Sequence, residues 1–217
     1  MIKLRRHSWV VLVFSTLLTA AALKSAADEN TLPQFGRDTV LVWRIQNQNL
    51  DSSFVVRIAE FKPDRFLEWE DSSTQGTLFM PSRDIQGAKN YVGQNLFEAG
   101  VDMKSENATT LWLSGRIYRD LKTTGKSKCQ LDGVSGLMTY LGNDKLTIDV
   151  NRSPMEISVI KVSNGRGSDL WFVDQEENPL LVKHVIRQFV QVLASVTTNR
   201  TNTLRWIKGK KLENPPH

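Results

Sequence analysis

Residues 169–198 read DLWFVDQEENPLLVKHVIRQFVQVLASVTT, and they carry the most information about the fold. Its first five residues are mostly apolar or aromatic, which predicts a strand, and an acidic loop then leads to Pro179. From residue 180 onward two signals compete. Eight of the 17 residues in 182–198 are Val, Ile or Thr. Because such side chains lose rotamer freedom in a helix but pack well on a pleated sheet, we expect one long strand over 180–198.

A helix over the same residues is the alternative. Asn178 is a favourable N-cap, and Pro179 suits the first turn of a helix. Apolar residues also recur at helical spacing, namely Leu181, Val185, Phe189, Val192 and Val196. The strand that we favour is apolar on both faces, which suits a central strand or one that lines an apolar cavity. The expected lining residues of that cavity are Ile186, Val190, Val192, Phe172 and Trp171.

Short apolar or alternating runs predict further strands on the N-terminal side of this stretch. These runs are 39–46, 53–61, 65–70, 77–80, 126–131, 138–141, 145–150 and 155–162. Turn residues separate them. The run Lys62-Pro63-Asp64 predicts a turn, and Gly142-Asn143-Asp144 predicts a hairpin.

Two segments have helical periodicity instead. The apolar stripe of 82–99 is Ile85, Ala88, Val92 and Leu96, and that of 110–124 is Leu113, Ile117 and Leu121. Thr109 or Thr110 can cap the second helix, and Gly125 can end it. Strands on both sides of two helices predict an α+β fold. We expect a curved, mostly antiparallel, half-barrel-like sheet with the two helices packed on one face.

The first 27 residues are typical of a cleaved export signal. Three basic residues precede an apolar run, and small residues lead up to Ala27. The run is about 15 residues long, whereas a membrane span needs about 20. We expect cleavage after Ala27 and a periplasmic or secreted protein without a transmembrane segment. Residues 28–217 are expected to form one domain with a short basic tail at 208–217.

The charge balance changes if this signal is removed. The whole chain has 28 Lys and Arg against 23 Asp and Glu, a formal charge of +5. Residues 1–27 hold four of the basic residues and no acidic one, so the balance of 28–217 is +1. Because a nucleic-acid-binding protein usually keeps a strong basic surface, we expect no nucleic-acid partner.

No stretch carries a complete catalytic or cofactor motif. Gly125-Lys126-Ser127 lacks the earlier glycine of a phosphate-binding loop, and a single Cys cannot supply a structural zinc site. Two pairs are weak hydrolase candidates, Glu68 with Glu70 and Cys129 with His184. Four residues of the acidic loop are a weak calcium candidate, namely Asp174, Glu176, Glu177 and Asn178. We expect no catalytic residue, metal or cofactor.

The segments DLWFVD (169–174) and NPLLVK (178–183), joined by the acidic loop, resemble a strand–turn–strand near the end of uncharacterised exported bacterial proteins. TLWLS at 110–114 and LDG at 131–133 fit the same resemblance, which covers 110–207. In architecture the chain is also similar to periplasmic half-barrel lipoprotein carriers. Neither resemblance implies an activity or site residues. We expect a non-catalytic protein that binds a lipid-like ligand or a protein partner. The alternatives are an assembly component that pairs through an edge strand and a hydrolase.

Overall fold

A computed structural model describes residues 31–48, 50–93 and 96–198. The expected export signal at 1–27 and the basic tail at 208–217 lie outside the described residues. Along the chain the elements are β1 (Val40–Asn47), β2 (Leu50–Glu60), β3 (Arg65–Glu70), β4 (Gln75–Met80), α1 (Ser82–Gly87), β5 (Asn90–Tyr91), β6 (Asp102–Lys104), β7 (Ala108–Thr109), α2 (Gly115–Thr124), β8 (Lys126–Leu131), β9 (Val134–Val150), β10 (Ser153–Ser163), β11 (Ser168–Val173), β12 (Leu181–Ile186) and β13 (Phe189–Thr197). Neither of these helices is long and apolar enough to cross a membrane.

The 13 strands form one sheet, in the order β6-β4-β3-β2-β1-β13-β12-β11-β10-β9-β8-β5-β7. Most neighbours are antiparallel, while short parallel pairings join β4 to β6 and β5 to β7 and β8. The sheet is strongly curved, because β13 pairs with β1 and β12 and also makes a short parallel pairing with β9. The α+β prediction, with a curved and mostly antiparallel sheet, is confirmed.

Period-two alternation builds the core. On β1, Leu41 and Trp43 are fully buried, and the alternate residues of β2 and β3 continue the same face. The Trp43 indole N–H donates to the carbonyl oxygen of Leu181 at 3.0 Å, which ties β1 to β12. Helix α2 buries Ile117 and Leu121 and packs against β8 and β9. The helix therefore covers the sheet at β8 and β9.

The prediction of a strand over 180–198 is correct, but the segment forms two strands and not one long strand. The chain turns at Arg187, where φ is 52°, and β12 pairs back on β13. The Val- and Ile-rich composition favours extended backbone but does not say where an extended segment reverses. The helical alternative is excluded, because residues of both halves of the segment lie in strands.

The predicted hairpin at Gly142-Asn143-Asp144 is wrong, because β9 runs without a break through these residues. Lys161 pairs with Gly142 and Val162 pairs with Tyr140, so Leu141 is an extra residue in a β-bulge. Gly142 has φ of 138°, a backbone conformation that favours glycine. The same residue type thus marks a bulge here and not a turn.

The predicted helix over 82–99 is wrong beyond Gly87. α1 is six residues long, and the chain then forms β5, which pairs with β7 and β8. Buried Ala88 and Val92 lie at helical spacing, but they flank an extended segment that the sheet holds. Tertiary pairing therefore overrides a weak helical signal that Gly87 and Gly93 already interrupt.

The second helix begins later than predicted. Ser114 caps α2, because its hydroxyl oxygen accepts from the backbone N–H of Ile117 at 3.2 Å. Leu111, with φ of 57°, stops a helix from beginning at Thr109 or Thr110. The expected end at Gly125 is confirmed: its φ is 74° and its N–H donates to an α2 carbonyl.

Candidate functional site

The five residues expected to line an apolar cavity lie in different surroundings. Val190 and Val192 line a cleft of about 400 Å³ between β1, β9 and β13. Phe172 is fully buried in the hydrophobic core. Trp171 is its neighbour along β11 and therefore points to the opposite face of the sheet. Ile186 is half-buried at the end of β12.

Trp171 has polar neighbours. Lys161 and Lys183 place their ammonium groups 4.9 and 4.8 Å from the centroid of its ring. Its indole N–H donates to a carboxylate oxygen of Asp144 at 3.0 Å. The aromatic ring and its polar hydrogen thus already have partners, which does not favour an apolar ligand at this position.

The carboxylates of Glu68 and Glu70 share a face of β3, as their spacing predicts, but only one of them is buried. Glu68 is 1% exposed and forms an ion pair with Arg57. The Arg57 Nε–H donates to Glu68 at 2.6 Å. Glu68 is therefore the counter-ion of a buried arginine, which is a structural role.

Cys129 and His184 do not form a dyad. β8 and β12, which carry them, are separated by three strands in the sheet order. Burial raises the pKa of the Cys129 thiol, which disfavours the reactive thiolate. Burial lowers the pKa of His184, whose Nε2 has no hydrogen-bond partner within the described ranges.

The acidic loop between β11 and β12 is bound to its surroundings by side-chain contacts. These are Lys122 to Asp174 at 2.8 Å, Arg119 to Glu176 at 2.7 Å, Lys62 to Glu177 at 2.8 Å, and the Trp112 indole N–H to Asn178 at 2.7 Å. The loop residues therefore point to different partners. Among residues that the structure describes, no group of three or more His, Cys, Asp and Glu is placed to hold a metal ion.

One cleft combines an apolar wall with charged groups. It has a volume of about 770 Å³ and lies between the β2–β3 turn, α1, the start of α2 and the acidic loop. Its apolar lining residues are Phe61, Pro63, Ile85, Leu113 and Pro179. Its charged lining residues are Lys62, Arg65, Arg119, Glu176 and Glu177. We call it the Arg65 cleft.

Two backbone contacts build one side of the Arg65 cleft. Leu113 donates its N–H to the carbonyl oxygen of Pro179 at 3.1 Å, and Leu181 donates to the carbonyl oxygen of Leu111 at 2.6 Å. Trp112 between them is fully buried and bridges to Leu180. The TLWLS and NPLLVK segments, which are far apart in sequence, therefore form one wall.

Arg65 is the unusual residue of this cleft. It is 2% exposed, and its guanidinium carbon lies 4.8 Å from the ring centroid of Phe61 and 4.6 Å from that of Trp112. Its Nη2 donates to the backbone oxygen of Glu177 at 3.3 Å. Nε and Nη1 are buried without a hydrogen-bond partner, and no carboxylate in the described residues pairs with Arg65. Burial lowers its pKa to about 9, so the side chain is charged at neutral pH.

The start of α2 adds to the positive character of the same cleft. Gly115, the first residue of α2, is part of the lining. The first N–H groups of a helix have no acceptor within the helix, and they carry the positive end of the helix dipole. A group with anionic oxygens is therefore favoured in this cleft over a cationic one.

Sequence reasoning found the acidic loop but missed Arg65. The signal was present, because Arg65, Leu67 and Trp69 are two residues apart on one strand and so share a face. Leu67 and Trp69 are buried, which places Arg65 on the core side of β3. Sequence alone does not reveal that the arginine lacks a counter-ion, since that depends on residues brought together by the fold.

Comparison with known proteins adds no family to this description. No protein-family model matches the chain, and no curated protein is significantly similar to it.

Proposed function

We propose that this chain is an exported, non-catalytic protein that binds a hydrophobic ligand with an acidic group in the Arg65 cleft. One observation carries the proposal: a buried arginine that has no counter-ion among the described residues lines a cleft whose other wall is apolar. The acidic group would accept hydrogen bonds from the guanidinium, and the apolar part would lie against Ile85, Leu113 and Pro179.

The energetic argument supports an anion. Moving a cation out of water costs several kcal/mol unless another group compensates it. Stacking on Phe61 and Trp112 offsets part of this cost, about 2 kcal/mol for a desolvated contact. Nε and Nη1 have no acceptor in the part of the chain that the structure describes, and a guanidinium donates best to the oxygens of a carboxylate or phosphate. An acidic ligand would therefore supply the acceptors that the described residues do not.

The dimensions of the cleft support a small molecule as the ligand. Ligand sites commonly have volumes of roughly 300–1,000 Å³ and are mostly apolar, with a few polar groups that set orientation. At about 770 Å³, the Arg65 cleft lies in this range. Its mixture of five apolar and five charged lining residues suits an amphiphile better than a purely hydrocarbon ligand.

Assembly through an edge strand has less support. The two edges of the sheet are β6, with three residues, and β7, with two. Such short edges offer few unpaired backbone groups to a partner strand. Capture of a partner by β6 or β7 would favour this alternative.

Ligand binding can be tested with decanoate. Purified protein should bind decanoate with a 1:1 stoichiometry in calorimetry, and should bind decanol much more weakly. Arg65→Met should lose most of the decanoate affinity, whereas Arg152→Met, at an exposed arginine in the β9–β10 turn, should keep it. Mass spectrometry of the protein as purified should also find acidic lipids. Equal binding of decanoate by wild type and Arg65→Met would contradict the proposal.

Export can be tested separately. When the full chain is expressed in a bacterium, the exported protein should begin at Asp28, because small residues precede that position. N-terminal sequencing of the periplasmic or secreted fraction measures this directly. A protein that stays in the cytoplasm with its first residues intact would contradict the export part of the proposal.

A further inference from the structure

The charged groups of the Arg65 cleft do not balance. Three cationic side chains line it, Lys62, Arg65 and Arg119, and two carboxylates line it, Glu176 and Glu177. The lining residues therefore carry one net positive charge. A ligand with a single negative charge would neutralise the cleft, whereas a doubly charged ligand would leave an excess of negative charge.

The two carboxylates form ion pairs with two of the three cations. Glu177 pairs with Lys62 on the β2–β3 turn at 2.8 Å, and Glu176 pairs with Arg119 on α2 at 2.7 Å. Only Arg65 has no carboxylate within the described residues. The arrangement thus leaves one cation for the ligand and keeps two negative charges beside it.

The ends of the acidic loop keep these carboxylates in place. Asp174 accepts hydrogen bonds from Tyr118 at 2.6 Å and from Lys122 at 2.8 Å. At the other end, Asn178 accepts from Trp112 at 2.7 Å. Since both ends of the loop are bound to neighbouring elements, we expect the carboxylates between them to remain at the cleft when a ligand enters.

We infer that Glu176 and Glu177 determine the charge preference of the cleft, so that it selects a singly charged carboxylate over a doubly charged phosphate monoester. The inference rests on the proposed ligand-binding function and goes beyond it by naming the class of acidic group. The selection acts through the lack of a second free cation, because Lys62 and Arg119 are already paired and a second negative charge would lose water without gaining a partner. This cost discriminates even where the attractive contact to Arg65 is the same for both ligands.

The size of the effect follows from the exposure of the pairs. The side chains of Glu176 and Glu177 are 52% and 81% exposed, so water and salt screen them strongly. Each exposed charge contact changes a binding equilibrium by only a small factor. Together we expect about a tenfold preference for the singly charged ligand at low salt, and a smaller preference at high salt.

The test compares decanoate with decyl phosphate at pH 8, where a phosphate monoester carries close to two negative charges. Wild type should bind decanoate about tenfold more tightly than decyl phosphate. Glu176→Gln with Glu177→Gln should abolish or reverse this ratio, because the cleft then carries three cations and no carboxylate. Glu98→Gln with Glu106→Gln removes the same charge from exposed positions elsewhere and should leave the ratio unchanged.

The outcomes separate the inference from the proposed function. If wild type binds neither ligand, the proposed function is wrong. If wild type binds decanoate through Arg65 but the Glu-to-Gln pair leaves the ratio as it was, the function stands and the inference is overturned. The four substituted positions are exposed, and circular dichroism checks that both double variants fold.

Discussion

Arg57 and Arg65 lie on neighbouring strands and are both buried, but their side chains have different kinds of neighbours. Arg57, on β2, pairs with Glu68 and Asp38 on one face of the sheet. Arg65, on β3, lies on the other face between two aromatic rings and has no carboxylate partner in the described residues. Their exposures are 5% and 2%, so burial does not distinguish them. The difference indicates that Arg57 serves the fold, and it is the basis of our proposal that Arg65 binds an acidic ligand.

The largest effect is expected for Arg57→Met. Removing one member of a buried ion pair leaves the other charge without its guanidinium, which costs about 3–5 kcal/mol. Urea denaturation should find the free energy of unfolding lower by that amount. Replacing Glu68 with Gln in the same chain should recover part of the loss. A loss below about 1 kcal/mol would show that the pair contributes little.

Trp112→Phe should have an intermediate effect. The substitution keeps an aromatic ring beside Arg65 but removes the hydrogen bond to Asn178 and part of the buried indole. We expect the free energy of unfolding to fall by about 1–2 kcal/mol, since a lost buried partner leaves an acceptor unsatisfied. Chemical denaturation measures this. If Trp112→Phe is as stable as wild type, the wall formed by the TLWLS and NPLLVK segments does not depend on the indole N–H.

Arg65→Met should change stability with the opposite sign to Arg57→Met. Replacing an uncompensated buried cation with an apolar side chain of similar length is expected to raise the free energy of unfolding by about 1 kcal/mol. Thermal denaturation without added ligand measures the change. Excess decanoate should then stabilise wild type and not the variant. A destabilisation as large as that of Arg57→Met would remove the distinction between the two arginines.

The smallest effect concerns the exposed pair beside Arg65. The hydrogen bond and charge of Lys62 hold the pKa of Glu177 below its ordinary value of 4.5. The pair therefore contributes stability at neutral pH, which is lost as the pH falls through the lowered pKa. Nuclear magnetic resonance titration should find the Glu177 midpoint below 4.5 in wild type and close to 4.5 in Lys62→Met. An unchanged midpoint would mean that the pair does not form in solution.

Alternation and turn residues predict much of the fold. The strands around Leu41, Val56 and Leu67 follow from side chains that alternate between core and the other face, and that rule is local. The same rule does not predict the conformation at Gly142. A glycine in an apolar stretch fits either a hairpin or a bulge, and only the position of β10 decides between them. The turn at Arg187 is not predicted either, because the composition on both sides of it favours strands.

The site was less predictable for a physical reason. The acidic residues near Glu177 are visible as a local cluster, whereas their cationic partners lie more than 50 residues away along the chain. That Arg65 lies against Phe61 and Trp112, with no counter-ion in the described residues, depends on segments that only the fold brings together. No local pattern encodes it.

The pairing of β1 with β13 has a consequence for the order of folding. Val40 pairs with Thr197, so the first and last strands of the described chain are neighbours in the sheet. Contacts between such distant residues must close a very long loop, and proteins rich in them fold slowly. β1 can pair with β2 early, but its pairing with β13 must wait until the ribosome has synthesised β13. The sheet is therefore complete only once the last described strand has been synthesised.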